Sequence, residues 1–295
     1  MTGALEACYT VALLVAVWAT GLHVGMEHGF RRVAESLRRT GLLARALAVN
    51  VLVVPLIVWA LVGLADLPRG FRIGLLLVGI ASAGPLGIKA AAVGRGAVAY
   101  AASLVVILEL ANLAAIPIWS AVTMPAGTAV PFAEIVEVLA LVVVLPLATG
   151  MSIRAKRPAL AARWAAPAGT VSTIALATLV TVALILDSSS VRAGFSSGVP
   201  AVALVTVAAA LTLGWLVGGP TRATRSSTSL VSGVRANGPA LAIAAVSFHG
   251  QAGVRAAVIT FAIFSIVGTL AFATALSRRA TRPSRHAAVF RPHTR

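Results

Sequence analysis

The chain has 295 residues, of which 59% are hydrophobic and 11% are charged, and its mean hydropathy is +0.97. A soluble domain carries about twice this fraction of charged residues, so the composition excludes the ordinary soluble classes. The net charge of +16 resides in short loops and a tail between apolar segments. This distribution is typical of membrane topology rather than of a nucleic-acid-binding surface, so no nucleic-acid partner is expected.

Nine apolar segments of roughly 20 residues follow one another, and each is long enough to cross the hydrocarbon core of a bilayer. The sequence therefore predicts an all-α polytopic membrane protein with nine transmembrane helices in one domain, residues 1–276. A basic tail, residues 277–295, is predicted to be disordered. The helices are expected at about residues 8–26, 44–64, 71–93, 97–122, 132–153, 165–186, 199–218, 227–248 and 254–276.

The loops between these helices alternate in their content of Lys and Arg. Those after the first, third, fifth and seventh helices are basic, whereas the loops between them are poor in positive charge. By the positive-inside rule we expect the N-terminus outside the cell and the C-terminal tail in the cytoplasm. Arg outnumbers Lys by 22 to 2 and Ala is abundant, which is typical of a GC-rich bacterial genome, so a bacterial inner membrane is the expected location.

The third and eighth predicted helices are interrupted near their centres. The third contains Gly84, Pro85 and Gly87, and the eighth contains Asn237-Gly238-Pro239. Proline removes a backbone donor and glycine loosens the helix, and lipid cannot satisfy the backbone groups that a break exposes. Such a break is tolerated where it is buried in protein or lines a polar cavity, so both breaks are candidate binding sites.

The Gly-Pro step that both breaks share indicates two copies of one unit. The copies are expected at about residues 8–122 and 165–276, with the helix at 132–153 linking them. Because the two broken helices are five spans apart, they should cross the membrane in opposite directions, which makes the repeat an inverted one. Inverted repeats with broken helices are typical of secondary transporters that work by alternating access.

Ionisable residues deep within predicted helices mark transport paths when they are not structural. Arg235, beside the second break, is costly in a membrane unless it is paired or hydrated, and the alternative is a side chain that reaches the cytoplasmic face. Glu109 lies near the centre of the fourth helix, with Lys89 or Arg235 as its natural partner. For Lys89, a side chain that extends to the membrane–water interface is an equally good interpretation. Asn112 shares the face of Glu109, where an interhelical hydrogen bond is the alternative to substrate contact.

Metal and enzyme chemistry are disfavoured. His23, Glu27 and His28 lie together at the end of the first helix, but further ligands are lacking, so no metal or cofactor is expected. No paired carboxylates and no nucleophile–base set fall at one membrane depth, which argues against an enzyme. The lone Cys8 excludes an intramolecular disulfide.

Four stretches follow a recognisable order and spacing. They are Gly21-Leu22-His23-Val24 followed by Phe30-Arg31-Arg32-Val33, then Asn50 five places before Pro55, then Gly84–Gly87, then Gly233–Gly238. Together they resemble the bile acid:sodium symporter family, and the likeness covers about residues 13–276. The resemblance implies a core of crossing broken helices packed against a panel domain. It further implies that organic anions bind between the two and that sodium binds at the crossing.

Several sodium ligands that the resemblance implies are missing. The family's Ser-Asn pair falls on Ala90 and Ala91, its Glu falls near Val231, and its Gln falls near Arg235. Asn50 alone retains the expected ligand chemistry. Because a hard cation needs several oxygen ligands, we expect transport without sodium coupling.

The expected function is therefore a secondary transporter of a small organic anion. Arg235 and Lys89 would supply fixed positive charge in place of sodium, and protonation of Glu109 would provide proton coupling. The alternatives are an arsenite-efflux transporter of the same superfamily, for which Cys8 is poorly placed, and a membrane sensor or scaffold that does not transport. The predicted substrate site comprises Asn50, Pro85, Gly87, Lys89, Glu109, Asn112, Arg235, Asn237 and Gly238.

Overall fold

The computed structural model describes residues 2–29, 40–125, 128, 130–248 and 250–281. The helices in these residues are α1 (Thr2–Glu27), α2 (Thr40–Leu64), α3 (Arg69–Ile80), α4 (Leu86–Val93), α5 (Val98–Thr123), α6 (Phe132–Lys156), α7 (Pro158–Leu186), α8 (Ser188–Phe195), α9 (Val199–Val217), α10 (Arg222–Gly233), α11 (Asn237–Ser247) and α12 (Ala252–Thr281). By length and composition, seven of them could cross a membrane: α1, α2, α5, α6, α7, α9 and α12. The protein is an all-helical, multi-pass membrane protein.

Four of the five shorter helices, α3, α4, α10 and α11, have 8 to 12 residues each and flank the two breaks, and each is too short to cross a bilayer alone. The chain leaves helical geometry at residues 81–85 and again at residues 234–236. Both breaks begin before the positions predicted from the sequence, because Gly87 already lies in α4 and Asn237–Pro239 open α11. A proline disturbs the turn that precedes it and suits the start of the next helix, so the first break ends at Pro85 and the second lies before Pro239.

A small bundle consists of α1, α6 and α7, which pack mainly against one another. Where α1 meets α6, Gly25 faces Gly150. A Cβ added at Gly25 would lie 2.9 Å from the Cα of Gly150, and one added at Gly150 would lie 3.0 Å from the Cα of Gly25. Small residues spaced by four, here Gly21 and Gly25, let membrane helices approach closely. Glycine therefore permits the contact between α1 and α6.

A large bundle comprises α2–α5 and α9–α12, and the two helices at its centre have opposite character. The apolar α3 is buried along most of its length, whereas the buried α10 is rich in Ser and Thr. The hydroxyls of α10 donate to carbonyl oxygens, Ser226 to Gly94 at 2.9 Å and Ser229 to Leu211 at 2.6 Å. Because buried polar groups need partners, these bonds allow a polar helix to occupy the core.

One end of the molecule carries the start of α1, the end of α7 and the start of α12. There Arg255 of α12 donates to both carboxylate oxygens of Glu6 and both of Asp187, at 2.9–3.1 Å. Its guanidinium also lies 5.1 Å from the centre of the Tyr9 ring. Since Glu6 and Tyr9 belong to α1 and Asp187 follows α7, this Arg255 cluster ties the small bundle to the large one.

The opposite end is basic. Arg154 donates to the carbonyl oxygen of Met26 at 2.8 Å within the small bundle, and Arg222 donates to that of Leu276 at 3.2 Å within the large one. The helix α12 continues to Thr281, through the first residues of the predicted tail. The rest of that tail, 282–295, and the predicted motif at 30–33 lie outside the described residues.

Candidate substrate and ion site at the crossing of two broken helices

The two breaks lie against each other. The amide of Ala236 donates to the carbonyl oxygen of Ala81 at 3.1 Å, and Ser82 and Arg235 form an isolated antiparallel bridge. The approach is so close that a Cβ added at Gly84 would lie 2.9 Å from the carbonyl oxygen of Arg235. The half-helices α3, α4, α10 and α11 therefore meet at one crossing, where each break supplies hydrogen bonds to the other.

Ala83 holds the first break in a strained conformation. Its φ of 54° lies in the left-handed region, which costs an L-residue roughly 1–2 kcal/mol. The side chain is fully buried, against α4, α5 and α10. Strain of this kind persists only where the surroundings hold it, and it concentrates at functional sites.

Asn112 of α5 fixes the first break through its side chain. Its Oδ1 accepts from the backbone amide of Ser82 at 3.0 Å and from the Ser82 hydroxyl at 2.6 Å, and its Nδ2 donates to the Ser82 carbonyl oxygen at 2.8 Å. The side chain thus replaces the helical hydrogen bonds that the break removes at Ser82. This is the interhelical role that the sequence leaves open for Asn112, and Ser82 is a partner that sequence reasoning missed.

Arg235 reaches from the second break to the end of α3. Its Nη2 donates to the carbonyl oxygen of Gly79 at 2.5 Å, and its guanidinium lies 3.5 Å from both the backbone and the side-chain oxygen of Asn50. The side chain is only 1% exposed, and among the described residues no carboxylate lies within 4.0 Å of it. A cation here complements the partial negative charge at the C-terminus of α3.

Asn50 presents its oxygens to Arg235 because α2 is locally a π-helix. In the π-helical segment Ala48–Val53, the amide of Val54 bonds to Val49, which leaves the carbonyl oxygen of Asn50 free. The side-chain amide of Asn50 donates to Ala46 at 2.9 Å and to the Ser232 hydroxyl at 2.8 Å, so its Oδ1 points the other way. π-Helical turns inside α-helices frequently occur at functional sites.

The neighbouring carbonyl of Val51 is also freed, because Pro55, four residues later, has no amide hydrogen to donate. The indole N–H of Trp119 in α5 donates to this oxygen at 2.7 Å. Sequence reasoning missed Trp119. The proline after Asn50 was the available signal that some other donor must serve this carbonyl.

Glu109 is buried in α5, and its nearest polar contact is the Nδ2 of Asn112 at 3.4 Å. The ion pair predicted with Lys89 or Arg235 is wrong, since neither cation lies within 4.0 Å of its carboxylate. The pair does not form because both cationic side chains point away from Glu109. Lys89 extends from the outer face of α4 and is exposed, while Arg235 turns away toward Gly79.

The remaining predicted residues lie around the crossing. Pro85 precedes α4 and is half-buried, and Gly87 is buried against the backbone of α10. Asn237 is half-buried, and its Oδ1 is buried with no hydrogen-bond partner among the described residues. A Cβ added at Gly238 would lie 3.2 Å from a methyl group of Val17 in α1. The start of α11 therefore faces the small bundle.

The His23, Glu27 and His28 group lies outside this crossing. Each histidine has a ring nitrogen 3.6 Å from the Glu27 carboxylate, and the other ring nitrogen of His23 is 2.8 Å from the carbonyl oxygen of Ala165 in α7. His23 therefore contributes to the packing of the small bundle. In the part of the chain that the structure describes, no three His, Cys, Asp or Glu residues are grouped to hold a metal.

Comparison with protein-family models gives a match to the Sodium Bile acid symporter family over residues 10–193, more than half of the chain. Comparison with curated proteins gives no match. The matched range includes the first break and the side chains of Asn50, Glu109 and Asn112, and it ends within α8. The second break, which carries Arg235, lies beyond it.

Proposed function

The chain belongs to the sodium bile acid symporter family, and we propose that it is a secondary transporter that moves a small organic anion by alternating access, without sodium coupling. One observation supports the absence of sodium coupling. The guanidinium of Arg235 lies against three neutral oxygens at the crossing, those of Gly79 and Asn50.

In this proposal α3–α4 and α10–α11 each form one broken membrane span, so that nine spans cross the membrane as inverted repeats. The antiparallel contact between Ser82 and Arg235 supports opposite directions for the two broken spans. The basic end of the molecule faces the cytoplasm of a bacterial cell, which places the start of α1 outside and the end of α12 inside.

Arg235 acts as a tethered cation. Neutral carbonyl and amide oxygens are the ligands that hard metal ions require, and here the guanidinium occupies them. Ala90 and Ala91, which replace two of the family's polar residues, are buried in α4 and offer no side-chain oxygen. A sodium ion at this position would have to displace a covalently attached charge.

The anion binds where the crossing faces the small bundle. The helices α4 and α11 begin at the crossing, and the partial positive charge of their N-termini favours an anion. Pro85, Asn237 and Gly238 are half-buried at these two starts, within reach of a ligand that enters between the bundles. Lys89 does not belong to the proposed anion site, because its side chain is exposed. Glu109 takes up a proton during the cycle.

The test is uptake into proteoliposomes of an organic anion selected by thermal-shift binding from a panel of bile acids and short carboxylates. Uptake should proceed equally under a sodium gradient and in potassium alone. Arg235→Gln should lower it at least about tenfold, since a buried cation that complements a substrate charge is worth several kcal/mol. Arg163→Gln, an exposed arginine of α7, is the matched control and should transport normally.

Several-fold acceleration by sodium would overturn the tethered cation while leaving the transporter intact. Anion binding without flux under any gradient would instead indicate a sensor or scaffold. Flux of arsenite in preference to organic anions would assign the chain to the efflux branch.

A further inference from the structure

A second feature lies at the basic end, away from the crossing. There a cavity of about 460 Å³ opens where α9 ends, α10 begins and α12 ends. Its lining consists of Trp215, Pro220, Arg222, Arg225, Leu276 and Arg279. Three of these six residues are arginines and none is acidic.

Within the described ranges, these three arginines have no acidic partners. Arg222 donates one Nη2 hydrogen bond to the Leu276 carbonyl oxygen, and Arg225 donates through Nε to that of Gly219 at 2.7 Å. A guanidinium has five N–H donors, so each retains most of its donors while its position is fixed. Among the described residues no carboxylate lies within 4.0 Å of Arg222, Arg225 or Arg279. Three like charges around one cavity repel one another unless an anion lies between them.

The other wall of the cavity is apolar and continues onto the surface of α9. The ring of Trp215 packs edge-on against Phe272, with ring centres 6.5 Å apart. The next residue, Leu216, is 68% exposed. Tryptophan favours the membrane–water interface, and an exposed leucine beside it suits contact with acyl chains. The cavity thus joins a charged pocket to an apolar surface.

We propose that this cavity binds the phosphate group of a net-anionic phospholipid. The planar guanidinium group of arginine can donate two parallel hydrogen bonds to phosphate oxygens. Basic pockets between helices on the cytoplasmic side of membrane proteins bind anionic headgroups. Arg222, Arg225 and Arg279 hold the phosphate, while Trp215 and Leu216 lie beside the glycerol and upper acyl chains. A soluble phosphate ion shares the recognised chemistry. The site is separate from the proposed transport path and does not depend on it.

The test is native mass spectrometry of the detergent-purified full chain with added phosphatidylglycerol or phosphatidylcholine of the same acyl chains. Wild-type protein should retain phosphatidylglycerol in preference to phosphatidylcholine. Arg279→Gln should reduce that retention about fivefold, since one interfacial cation contributes about that factor to binding an anionic lipid. Arg45→Gln, an exposed arginine on α2, is the control and should retain phosphatidylglycerol like wild type.

A further arm adds inorganic phosphate as competitor. Displacement of phosphatidylglycerol by millimolar phosphate would show that the site also takes the soluble ion, and an absence of displacement would assign it to the lipid headgroup. Melting curves of the variants without lipid verify that each is folded. Equal retention of the two lipids by wild type, or wild-type retention by a folded Arg279→Gln, would overturn the site.

Discussion

Arg235 anchors the crossing through hydrogen bonds and is proposed to supply charge for transport, and a pair of substitutions separates these two roles. Arg235→Leu leaves the oxygens of Gly79 and Asn50 without a donor, so the free energy of unfolding should fall by about 2 kcal/mol or more. Arg235→Gln keeps an amide donor and should lose less stability, yet it removes the charge. Thermal melts in detergent and anion flux on the same preparations measure the two roles.

The two readouts should therefore diverge for the glutamine variant. If Arg235→Gln transports at the wild-type rate, the charge has no part in transport. If Arg235→Leu melts with wild type, the guanidinium does not anchor the crossing.

Asn112 should be among the most sensitive polar positions for stability. Asn112→Ala leaves the buried amide and carbonyl of Ser82 without hydrogen-bond partners, so the free energy of unfolding should fall by about 3 kcal/mol. Ser120→Ala is the matched control, because Ser120 is buried on the same helix and its hydroxyl has no hydrogen-bond partner. Unfolding in a denaturing detergent compares the two, and equal loss in both would mean that the Asn112–Ser82 bonds contribute nothing specific.

The burial of Glu109 and Arg235 could be predicted from the sequence, but their partners could not. An ionisable group inside an apolar segment has a high free-energy cost, which identifies Glu109 and Arg235 as candidates for the site. Which way each side chain points depends on how four half-helices cross, and no spacing along the chain encodes that. Arg235 therefore pairs with Gly79, and Glu109 lies beside Asn112 rather than beside a cation.

The contact between α1 and α6 should tolerate little increase in side-chain volume. Gly25→Ala places a methyl group against the backbone of α6, 2.9 Å from the Cα of Gly150, so the helices must separate and the melting temperature should fall. Gly63→Ala on α2 is the control, since nothing lies within 4 Å of its added Cβ and alanine favours helix by about 1 kcal/mol. A melting temperature that falls equally in both would contradict close packing at Gly25.

The sequence predicts the long helices to within about seven residues at their ends, the largest difference being α7, which starts at Pro158 instead of residue 165. The short helix α8 is not among the predicted helices. Apolar length sets the long helices, and Pro85 and Pro239 mark the breaks. The exact unwound residues depend on contacts between the breaks, such as Ala81 with Ala236. The hydrophobic pattern does not reveal the π-helical turn around Asn50, because the flanking segment is apolar on all faces and an extra residue in one turn displaces no polar face.

The Arg255 cluster should control opening at the end of the molecule where α1 begins. Arg255→Gln removes the charge and most of the hydrogen bonds to Glu6 and Asp187 that join the two bundles there, so conformers open at that end should become more populated. Spin labels on the native Cys8 of α1 and on Gln251→Cys beside α12 report their separation by electron paramagnetic resonance. The distance distribution should lengthen.

Arg72→Gln, an exposed arginine at the same end, is the control and should leave that distribution unchanged. An unchanged distribution in Arg255→Gln would mean that the cluster stabilises the fold without gating it.

Because the cation at the crossing is part of the polypeptide, it stays behind when the substrate leaves. A dissociable sodium ion would travel with the anion and offset its charge, whereas in the proposed cycle only the proton that Glu109 takes up can offset the charge of a monovalent anion. An inside-negative membrane potential of about 100 mV opposes inward movement of that charge by about 2.3 kcal/mol, or about 40-fold in accumulation. The same potential drives the anion outward. In the proposed cycle the proton on Glu109 cancels that charge, so Glu109→Gln should convert the chain into a voltage-driven exporter whose transport current has the sign of its substrate.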